Sequence, residues 1–332
     1  MKCFLGVDGG ATKTMAVVGD AHGNILSAGL AGPTNYQNVG LEKAMSNLDK
    51  SITQALSAAN LTIDDISSAV FGIAGADYPI DFDVLNGALA RLYPDLAYEL
   101  TNDTWVAFRS GSEKDHGVVV ISGTGANFAA RSPDGRKVTG RGMGYEWGSE
   151  GGAISLIRSA LHRAFRSHDG TGRKTLLEEA VLSLMGFSSY DDLSFYLYQV
   201  NAQRPELLTR ASPVVPAIFQ LAFQGDQVAQ DILVYTGNAM GEIAGRLGAR
   251  MGLGSVPTDI VMAGSTFTRG MSQLMVTAFQ TACQRFVPLG AFRFPEMEPA
   301  GGAYLMALEH VGLSVFGEVR KRTVGSFPKE IS

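Results

Sequence analysis

Two segments of the chain repeat one pattern: a short apolar run, a glycine-rich polar loop and a second apolar run. In the first segment, residues 4–7 are apolar, residues 8–14 form the loop and the next apolar run follows. In the second, residues 118–121 are apolar and residues 122–127 form the loop. Short apolar runs bounded by glycine turns are typical of β-hairpins. The repetition therefore predicts two related halves, each with a glycine-rich hairpin at the end of a strand.

Stretches with apolar residues at helical spacing lie between and after these hairpins. They predict helices over residues 41–59, 83–92, 152–165, 174–185, 190–198, 213–223, 226–251 and 301–311. Further strands are predicted at 68–73, 98–100 and 259–263. The tail 318–332 is polar and basic, and we expect it to be frayed. Strands that alternate with helices predict an α/β fold.

Charge balance and cysteine content limit the classes of function. The chain has 27 Lys and Arg against 32 Asp and Glu, a formal net charge of −5, which disfavours binding to a nucleic-acid backbone. Its two cysteines, Cys3 and Cys283, are far apart, so we predict neither a disulfide scaffold nor a cysteine zinc site. No uncharged apolar stretch approaches the roughly 18 residues that cross a bilayer. We expect a cytoplasmic protein with no nucleic-acid or membrane partner.

The first glycine loop has the composition of a phosphate-binding loop. Glycines allow the backbone to approach an anion, and exposed N–H groups and threonine hydroxyls can bind phosphate oxygens. Asp8, at the end of the preceding strand, can hold Mg²⁺ through water. The alternative is a polar hairpin turn that Asp8 caps. The P-loop pattern is absent, and the dinucleotide fingerprint fails because Phe128 stands where its third glycine belongs.

The two loops together resemble the two phosphate motifs of the actin-like superfamily, which includes sugar kinases, heat-shock chaperones and actin. Within it, the chain most resembles the N-acetylglucosamine kinase and glucosamine kinase family of BadF/BadG/BcrA/BcrD-type ATPases. Seven further segments, in addition to the two phosphate motifs, carry the resemblance in the expected order. Besides the phosphate motifs they are Gly32-Pro33-Thr34-Asn35, Gly72-Ile73-Ala74-Gly75-Ala76-Asp77, Thr101-Asn102-Asp103, Trp147-Gly148-Ser149-Glu150-Gly151-Gly152, Ala222-Phe223-Gln224-Gly225-Asp226, Met262-Ala263-Gly264-Ser265 and Pro299-Ala300-Gly301-Gly302-Ala303.

The resemblance implies a fold of two duplicated actin-like, ribonuclease H-like domains with a cleft between them. A length of 332 residues agrees with two domains. We expect an N-terminal domain over residues 1–112, a larger nucleotide-side domain over 113–316 and a polar tail over 317–332, with the helix at 301–313 able to pack back on the first domain. The resemblance also implies a homodimer.

The resemblance further implies ATP and Mg²⁺ as cofactors and a small-molecule sugar as substrate. Mg²⁺ would be held by Asp8 through water. The side chain of Lys13 either adds positive charge near the phosphates or is simply solvated. The implied ATP-binding residues are Asp8, Gly9, Gly10, Thr12, Lys13, Thr14, Gly123, Thr124, Gly125, Ala222, Gly264 and Ser265.

The resemblance implies that Asp103 is the general base that accepts the proton of the sugar hydroxyl; the alternative is a plain N-cap. The implied sugar-binding residues are Asn35, Gly75, Asn102, Ser149 and Glu150. For these the alternatives are a turn role for Asn35, capping for Asn102 and a favourable first-turn charge for Glu150.

The sugar loop departs from the family pattern, since it has Ser149 where the family usually has Asp. The loss of this carboxylate is expected to weaken hydroxyl recognition or to shift it to Glu146 or Glu150. It also argues mildly against glucosamine, whose amine is cationic. We therefore expect N-acetylglucosamine, phosphorylated to its 6-phosphate, as the substrate. Alternatives are a glucosamine or N-acetylmuramate kinase, or a regulatory activator ATPase. Against the activator, Cys3 lies at the start of the first strand and Cys283 in a distant helix, which disfavours a joint iron–sulfur cluster.

Overall fold

The computed structural model describes residues 2–140, 142, 144–200, 205–268, 270 and 272–328. Their contacts divide the chain into two units. The first contains residues 1–119, 259–261 and 293–332, and the second contains residues 120–258 and 262–292. The end of the chain thus groups with its beginning, whereas the predicted division assigned residues up to 316 to the second domain.

The first part of the chain forms a five-stranded sheet with helices. Its elements are β1 (Cys3–Gly9), β2 (Thr14–Asp20), β3 (Ile25–Ala31), α1 (Tyr36–Val39), α2 (Leu41–Ala58), β4 (Ile66–Ile73), α3 (Pro79–Leu92), β5 (Tyr98–Asn102) and α4 (Asp103–Gly111). The strand order is β3-β2-β1-β4-β5. The pairs β1–β2 and β2–β3 are antiparallel, whereas β4 is parallel to both β1 and β5. The carboxyl ends of β1, β4 and β5 therefore lie at one edge of the sheet.

The middle of the chain repeats this sheet with longer helical insertions. Its elements are β6 (Gly117–Ser122), β7 (Ala126–Arg131), β8 (Lys137–Thr139), α5 (Gly152–His168), α6 (Leu177–Met185), α7 (Tyr190–Gln199), α8 (Pro205–Ala211), α9 (Val214–Phe223), α10 (Gln227–Arg250), β9 (Thr258–Ala263), α11 (Ser265–Thr268), α12 (Gln273–Gln284) and β10 (Gly290–Arg293). The order β10-β9-β6-β7-β8 matches that of the first sheet, strand for strand. The shared order confirms the predicted duplication.

The last helices, α13 (Pro299–His310) and α14 (Glu318–Ser326), complete the first unit. Helix α13 packs on β1 and α4 at backbone distance. A Cβ atom added to Gly6 would lie 2.2 Å from the Tyr304 nitrogen, and one on Gly302 would lie 2.0 Å from the Val106 oxygen. Only glycine permits such close packing. Gly301 and Gly302, the glycines of the predicted motif that starts at Pro299, are therefore packing residues of this unit.

Residues 318–326 of the tail form helix α14, which corrects the expectation of a frayed tail for this part of it; residues 329–332 lie outside the described residues. Arg320 in α14 is only 3% exposed. Its guanidinium donates hydrogen bonds to the carbonyl oxygens of Arg109 at 2.9 Å and Ser110 at 2.7 Å, and it pairs with Glu296 at 2.9 Å. The free carbonyls at the end of α4 need donors, and a cation is favourable there. Arg320 therefore fixes the tail helix to α4.

Most predicted helices are confirmed to within a few residues, and the differences have local causes. Helix α3 starts at Pro79 because Asp81 accepts hydrogen bonds from the backbone nitrogens of Asp77 and Tyr78, a capping arrangement that apolar spacing does not reveal. In the described residues, no helix is long and apolar enough to span a membrane.

Candidate active site

Three carboxylates meet at the edge of the first sheet where its parallel strands end. Asp8 is the penultimate residue of β1, Asp77 follows β4, and Asp103 follows β5 directly as the first residue of α4. The carboxyl ends of parallel strands are the usual place for ligand-binding residues in α/β sheets. The negative charge of Asp103 acts on Asp8, and the negative charge of Asp77 acts on Asp103.

The side chain of Asp103 combines burial with one oxygen atom that has no partner among the described residues. This atom is the buried Oδ1. Burial, and then the negative charge of Asp77, raise the pKa of Asp103 to about 7. Hydrogen bonds from backbone N–H groups at the helix start oppose this rise. A carboxylate with a pKa near neutrality and a free oxygen is suited to accept a proton.

Asn102 positions Asp103. Its side-chain oxygen accepts a hydrogen bond from the Thr104 nitrogen at 3.0 Å and so caps α4. Its amide nitrogen donates to Asp77 at 2.8 Å and to the Ala76 oxygen at 3.2 Å. These bonds use the amide within the protein and tie the segment after β4 to the start of α4. The arrangement matches the capping alternative better than a direct sugar contact.

Asp8 is suited to a cation. Burial raises its pKa to about 8, and the charges of Asp103 and Glu298 add to this, while Lys13 opposes it. Several carboxylates close together favour a bound cation, which relieves their repulsion. The described residues contain no cluster of three or more His, Cys, Asp or Glu that could hold a metal alone. A carboxylate such as that of Asp8 fits Mg²⁺, which proteins often bind through one or two carboxylates together with substrate phosphates.

Asp8→Asn is expected to stabilise the protein in the absence of nucleotide and magnesium. Because the folded-state pKa is raised, the folded chain holds a proton that the unfolded chain has already lost. The wild-type free energy of unfolding therefore falls as pH rises from about 4 to about 8. At pH 8 the variant should melt roughly 2–4 °C higher, which corresponds to about 1 kcal/mol.

Thermal unfolding at pH 5 and pH 8 measures this difference, which should be larger at pH 8. Asp95→Asn is the control, since Asp95 is an exposed carboxylate of the same unit. A variant that melts below the wild type at pH 8 would contradict a raised pKa for Asp8.

The first glycine loop projects beyond this edge. The Gly10 nitrogen donates to the Lys13 oxygen at 2.9 Å, which closes the turn, and Thr12 and Lys13 are exposed. Thr14 differs, because it is fully buried in β2 and its hydroxyl donates to the Gly32 oxygen at 2.7 Å. The hydroxyl of Thr14 therefore serves the fold and the Gly10 N–H closes the turn, whereas the side chain of Thr12 is exposed to solvent.

Glu298 is a residue of this site that the sequence analysis missed. It is the N-cap of α13, and its carboxylate pairs with the Lys13 ammonium at 2.9 Å. Both side chains are about half exposed, at 49% and 50%. The sequence feature that could have indicated Glu298 is its position directly before the motif that starts at Pro299. In this structure the charge of Lys13 is paired with Glu298.

The second glycine loop, in the other unit, is an open turn. The Gly123 nitrogen donates to the Gly125 oxygen at 2.9 Å. A Cβ atom added to Gly123 or Gly125 would contact nothing within 4 Å, and neither residue has a positive φ. The fold therefore does not require glycine at either position, and the space beside them is free for a ligand. Thr124 is exposed in the same turn.

Gly264 lies against this second loop. A Cβ atom on Gly264 would lie 2.3 Å from the Ser122 oxygen, and its φ is +94°. Ser265, the next residue, starts α11 and is exposed. Ala222 is buried in α9, so its side chain contributes packing. Of these predicted ATP-binding residues, Gly264 and Ser265 are thus adjacent to the strand that precedes Gly123.

The predicted sugar-binding residues fall into two groups. Asn35 and Gly75 lie in the first unit, where a Cβ atom on Gly75 would be 3.2 Å from the Asn35 side-chain oxygen. The same oxygen accepts a hydrogen bond from the Gln37 nitrogen. Ser149 lies in the second unit, is 9% exposed and donates to the Ala126 oxygen at 2.9 Å. Ser149 therefore supports the loop through a hydrogen bond that an ionised carboxylate cannot donate.

Glu150 is the acidic side chain of this loop that the structure describes. Its carboxylate accepts a hydrogen bond from the Tyr235 hydroxyl at 3.4 Å, and it lines a cavity. The side chain of Glu146, the other residue predicted to replace the missing carboxylate, lies outside the described part of the structure.

Duplicated five-stranded sheets, a glycine hairpin in each and an acidic strand edge define the actin-like class of phosphotransfer fold. The chain belongs to the BadF/BadG/BcrA/BcrD ATPase family, whose model matches residues 5–307. The predicted family and fold are thereby confirmed.

Curated relatives and solved structures agree with this assignment. The chain is 29% identical over 233 residues to the N-acetylmuramic acid/N-acetylglucosamine kinase of Clostridium acetobutylicum, covering 70% of this chain and 75% of the relative. It is 27% identical over 259 residues to the N-acetyl-D-glucosamine kinase of Dictyostelium discoideum, covering 75% and 80%. The ROK family glucokinase of Streptomyces griseus, solved with glucose and AMPPNP, shares the fold, with a TM-score of 0.56, 17% identity and coverage of 92% and 99%.

Proposed function

We propose that this protein transfers the terminal phosphoryl group of ATP to a hydroxyl group of an amino sugar, the 6-hydroxyl of N-acetylglucosamine. The buried, unpartnered oxygen of Asp103 carries the proposal. It supplies the acceptor that a sugar hydroxyl needs in order to lose its proton. A third curated relative, the glucosamine kinase of Vibrio cholerae at 24% identity over 238 residues, supports the same class of reaction.

In this mechanism Asp103 accepts the hydroxyl proton at Oδ1 while Asn102 and Asp77 hold the start of α4. Phosphoryl transfer otherwise depends on alignment and charge neutralisation. The exposed hydroxyls of Thr12 in the first loop and Thr124 in the second loop are available to phosphate oxygens. Mg²⁺, held by Asp8 through water, would neutralise phosphate charge. Lys13 would exchange its contact with Glu298 for a phosphate oxygen when ATP binds.

Release of ADP in the presence of candidate sugars tests the reaction. N-acetylglucosamine, glucosamine, N-acetylmuramate and glucose should be compared at equal concentrations, with mass spectrometry of the products. Phosphate on C6 of N-acetylglucosamine is the expected outcome. ADP release that no sugar stimulates would contradict a kinase and favour a regulatory ATPase.

The two cysteines give little support to the alternative function, a regulatory activator ATPase with a shared iron–sulfur cluster. Cys3 and Cys283 are both fully buried, and burial raises the pKa of Cys283 to about 12. Cluster ligation needs accessible thiolates. A homodimer, a cytoplasmic location and the absence of nucleic-acid partners stay predictions.

The pH dependence of kcat/KM should report the state of Asp103. The base acts when deprotonated, so activity should fall below a pH of about 7. Asp77→Asn removes a negative charge that raises the pKa of Asp103, while its side-chain oxygen can still accept from Asn102. The acidic limb of the profile should therefore move to lower pH.

Initial rates between pH 5 and pH 9 check this shift. Asp83→Asn, a change of an exposed carboxylate on α3, should leave the limb in place. If the acidic limb of the kcat/KM profile lies at the same pH in Asp77→Asn as in the wild type, another group controls that limb.

A further inference from the structure

The carboxylate of Asp81 joins two separate segments of the first unit. Asp81 lies in the first turn of α3 and is only 3% exposed. Its Oδ2 atom accepts hydrogen bonds from the backbone nitrogens of Tyr78 at 2.8 Å and Asp77 at 3.2 Å. Its Oδ1 atom accepts hydrogen bonds from the Tyr36 hydroxyl and from the Gln37 side-chain amide, the latter at 3.3 Å. One carboxylate therefore binds both the segment after β4 and helix α1.

The two oxygen atoms of Asp81 have different roles. The bonds to Oδ2 complete the capping box at the start of α3. The bonds to Oδ1 come from residues 44 and 45 positions earlier in the chain, so they contribute nothing to the cap. Burial alone would raise the pKa of Asp81, but its hydrogen bonds, that of Tyr36 first, hold the pKa below its usual range. The bonds from Tyr36 and Gln37 are therefore charge-assisted, which makes them stronger than neutral ones.

Two predicted sugar-binding residues lie in the segments that Asp81 joins. Asn35 directly precedes α1, and its side-chain oxygen accepts a hydrogen bond from the Gln37 nitrogen at 3.1 Å. Gly75 lies after β4, and its carbonyl oxygen accepts from the Gln37 side-chain amide at 3.4 Å. Helix α1 has only four residues, and so short a helix is not stable by itself. Its position beside Gly75 therefore depends on side-chain contacts, among them the bond from Tyr36 to Asp81.

We propose that Asp81 is a positioning residue for the sugar substrate, and that its carboxylate fixes α1 against the segment after β4 so that Asn35 and Gly75 form a binding surface before the sugar arrives. Because Asp81 is buried, it acts through Tyr36 and Gln37 and does not contact a ligand itself. A preformed surface lowers the cost of ordering on binding. The inference rests on the proposed function, because Asn35 and Gly75 bind a sugar only if that function is correct.

Tyr36→Phe tests this role with the smallest change. The variant loses the hydroxyl and keeps the ring, which packs against the core of the first unit. The KM for the sugar that the wild type phosphorylates should rise about 10-fold, the usual effect of losing a hydrogen bond to a charged group. The kcat should stay within about threefold, because a loss of binding that is equal in the ground and transition states raises KM alone. The KM for ATP should not change. A sugar KM equal to that of the wild type would overturn the proposal.

Tyr93→Phe is the matched control. Tyr93 directly follows α3 at its other end, is 8% exposed and donates from its hydroxyl to Asp49 at 2.9 Å. This variant also removes a hydrogen bond between tyrosine and aspartate from the first unit, so its stability should fall similarly. Its kinetics should match those of the wild type. An equal rise of the sugar KM in both variants would indicate a general loss of stability and would contradict a positioning role.

Hydrogen exchange in the ligand-free protein separates positioning by Asp81 from a direct contact of Tyr36 with the sugar. Peptides that cover residues 35–40 should exchange about 10-fold faster in Tyr36→Phe than in the wild type, because a segment that has lost such a bond opens more easily. Peptides within α2 should not change, and neither should residues 35–40 in Tyr93→Phe. Unchanged exchange at residues 35–40 together with a raised sugar KM would mean a direct contact and would refute the proposal.

Failure of the proposed function has a different appearance, since no sugar would then stimulate ADP release in any variant. The exchange measurement then decides the inference. Faster exchange at residues 35–40 in both Tyr36→Phe and Asp81→Asn supports the positioning of α1 by Asp81, because the Asn amide has one acceptor oxygen in place of two and cannot hold both segments. Wild-type exchange in Tyr36→Phe overturns the inference, whether or not Asp81→Asn folds.

Discussion

Asp103→Asn should lower kcat by at least about 100-fold, the lower end of the contribution of a general base, and should leave the dissociation constant for ATP nearly unchanged. The amide cannot accept the hydroxyl proton, although its shape matches that of the carboxylate. The protein should fold, because burial already favours an uncharged side chain at this position. A decrease in kcat without a change in nucleotide affinity is the expected pattern for a group that acts in the chemical step.

The experiment combines steady-state kinetics with titration of a non-hydrolysable ATP analogue. Asp64→Asn, a change of an exposed carboxylate in the same unit, should retain wild-type kinetics. Turnover of Asp103→Asn within a few-fold of the wild type would remove Asp103 from the mechanism. Loss of nucleotide binding together with turnover would instead indicate a structural role.

Gly302→Ala should destabilise the protein by about 3 kcal/mol or more, at the upper end for a single substitution. The added Cβ would lie 2.0 Å from the Val106 oxygen and 2.7 Å from the Ser110 nitrogen. Both contacts are backbone atoms of α4, so no side chain can move to relieve them. Because α4 begins with Asp103, the helices must separate at the element that carries the proposed base.

Gly87→Ala provides the matched control, since Gly87 also lies within a helix of the first unit. A Cβ atom there would meet only the end of the Arg91 side chain, at 3.8 Å. This substitution should stabilise the protein by about 0.5–1 kcal/mol through helix propensity. Chemical denaturation with urea measures both. Equal stability of the two variants would contradict the close packing of α13 on α4.

The parts of the fold that depend on local pattern were predictable from the sequence. The paired glycine hairpins indicated the duplication, and the common strand order confirms it. Helices such as α5 and α10 begin and end close to their predicted limits because their apolar spacing is regular. The short helix α8 and the strand β10 were not predicted, since four to seven residues carry little periodicity.

The candidate site was only partly predictable, because the ion pairs and hydrogen bonds of its residues depend on contacts between distant segments. Asp8 and Asp103 follow strands and stand in recognisable motifs. The pairing of Lys13 with Glu298 joins residues 285 positions apart, and no local pattern indicates it. Likewise, the sequence shows that Ser149 replaces a carboxylate, but only the structure shows that its hydroxyl bonds to the Ala126 oxygen.

The grouping of residues 293–332 with residues 1–119 affects the order in which the chain acquires structure on the ribosome. The second unit is nearly continuous in sequence and can fold while synthesis proceeds. The first unit cannot complete its fold until α13 packs on β1 and Arg320 binds the end of α4. The acidic edge that carries Asp103 is therefore completed only after α13 and α14 have been synthesised.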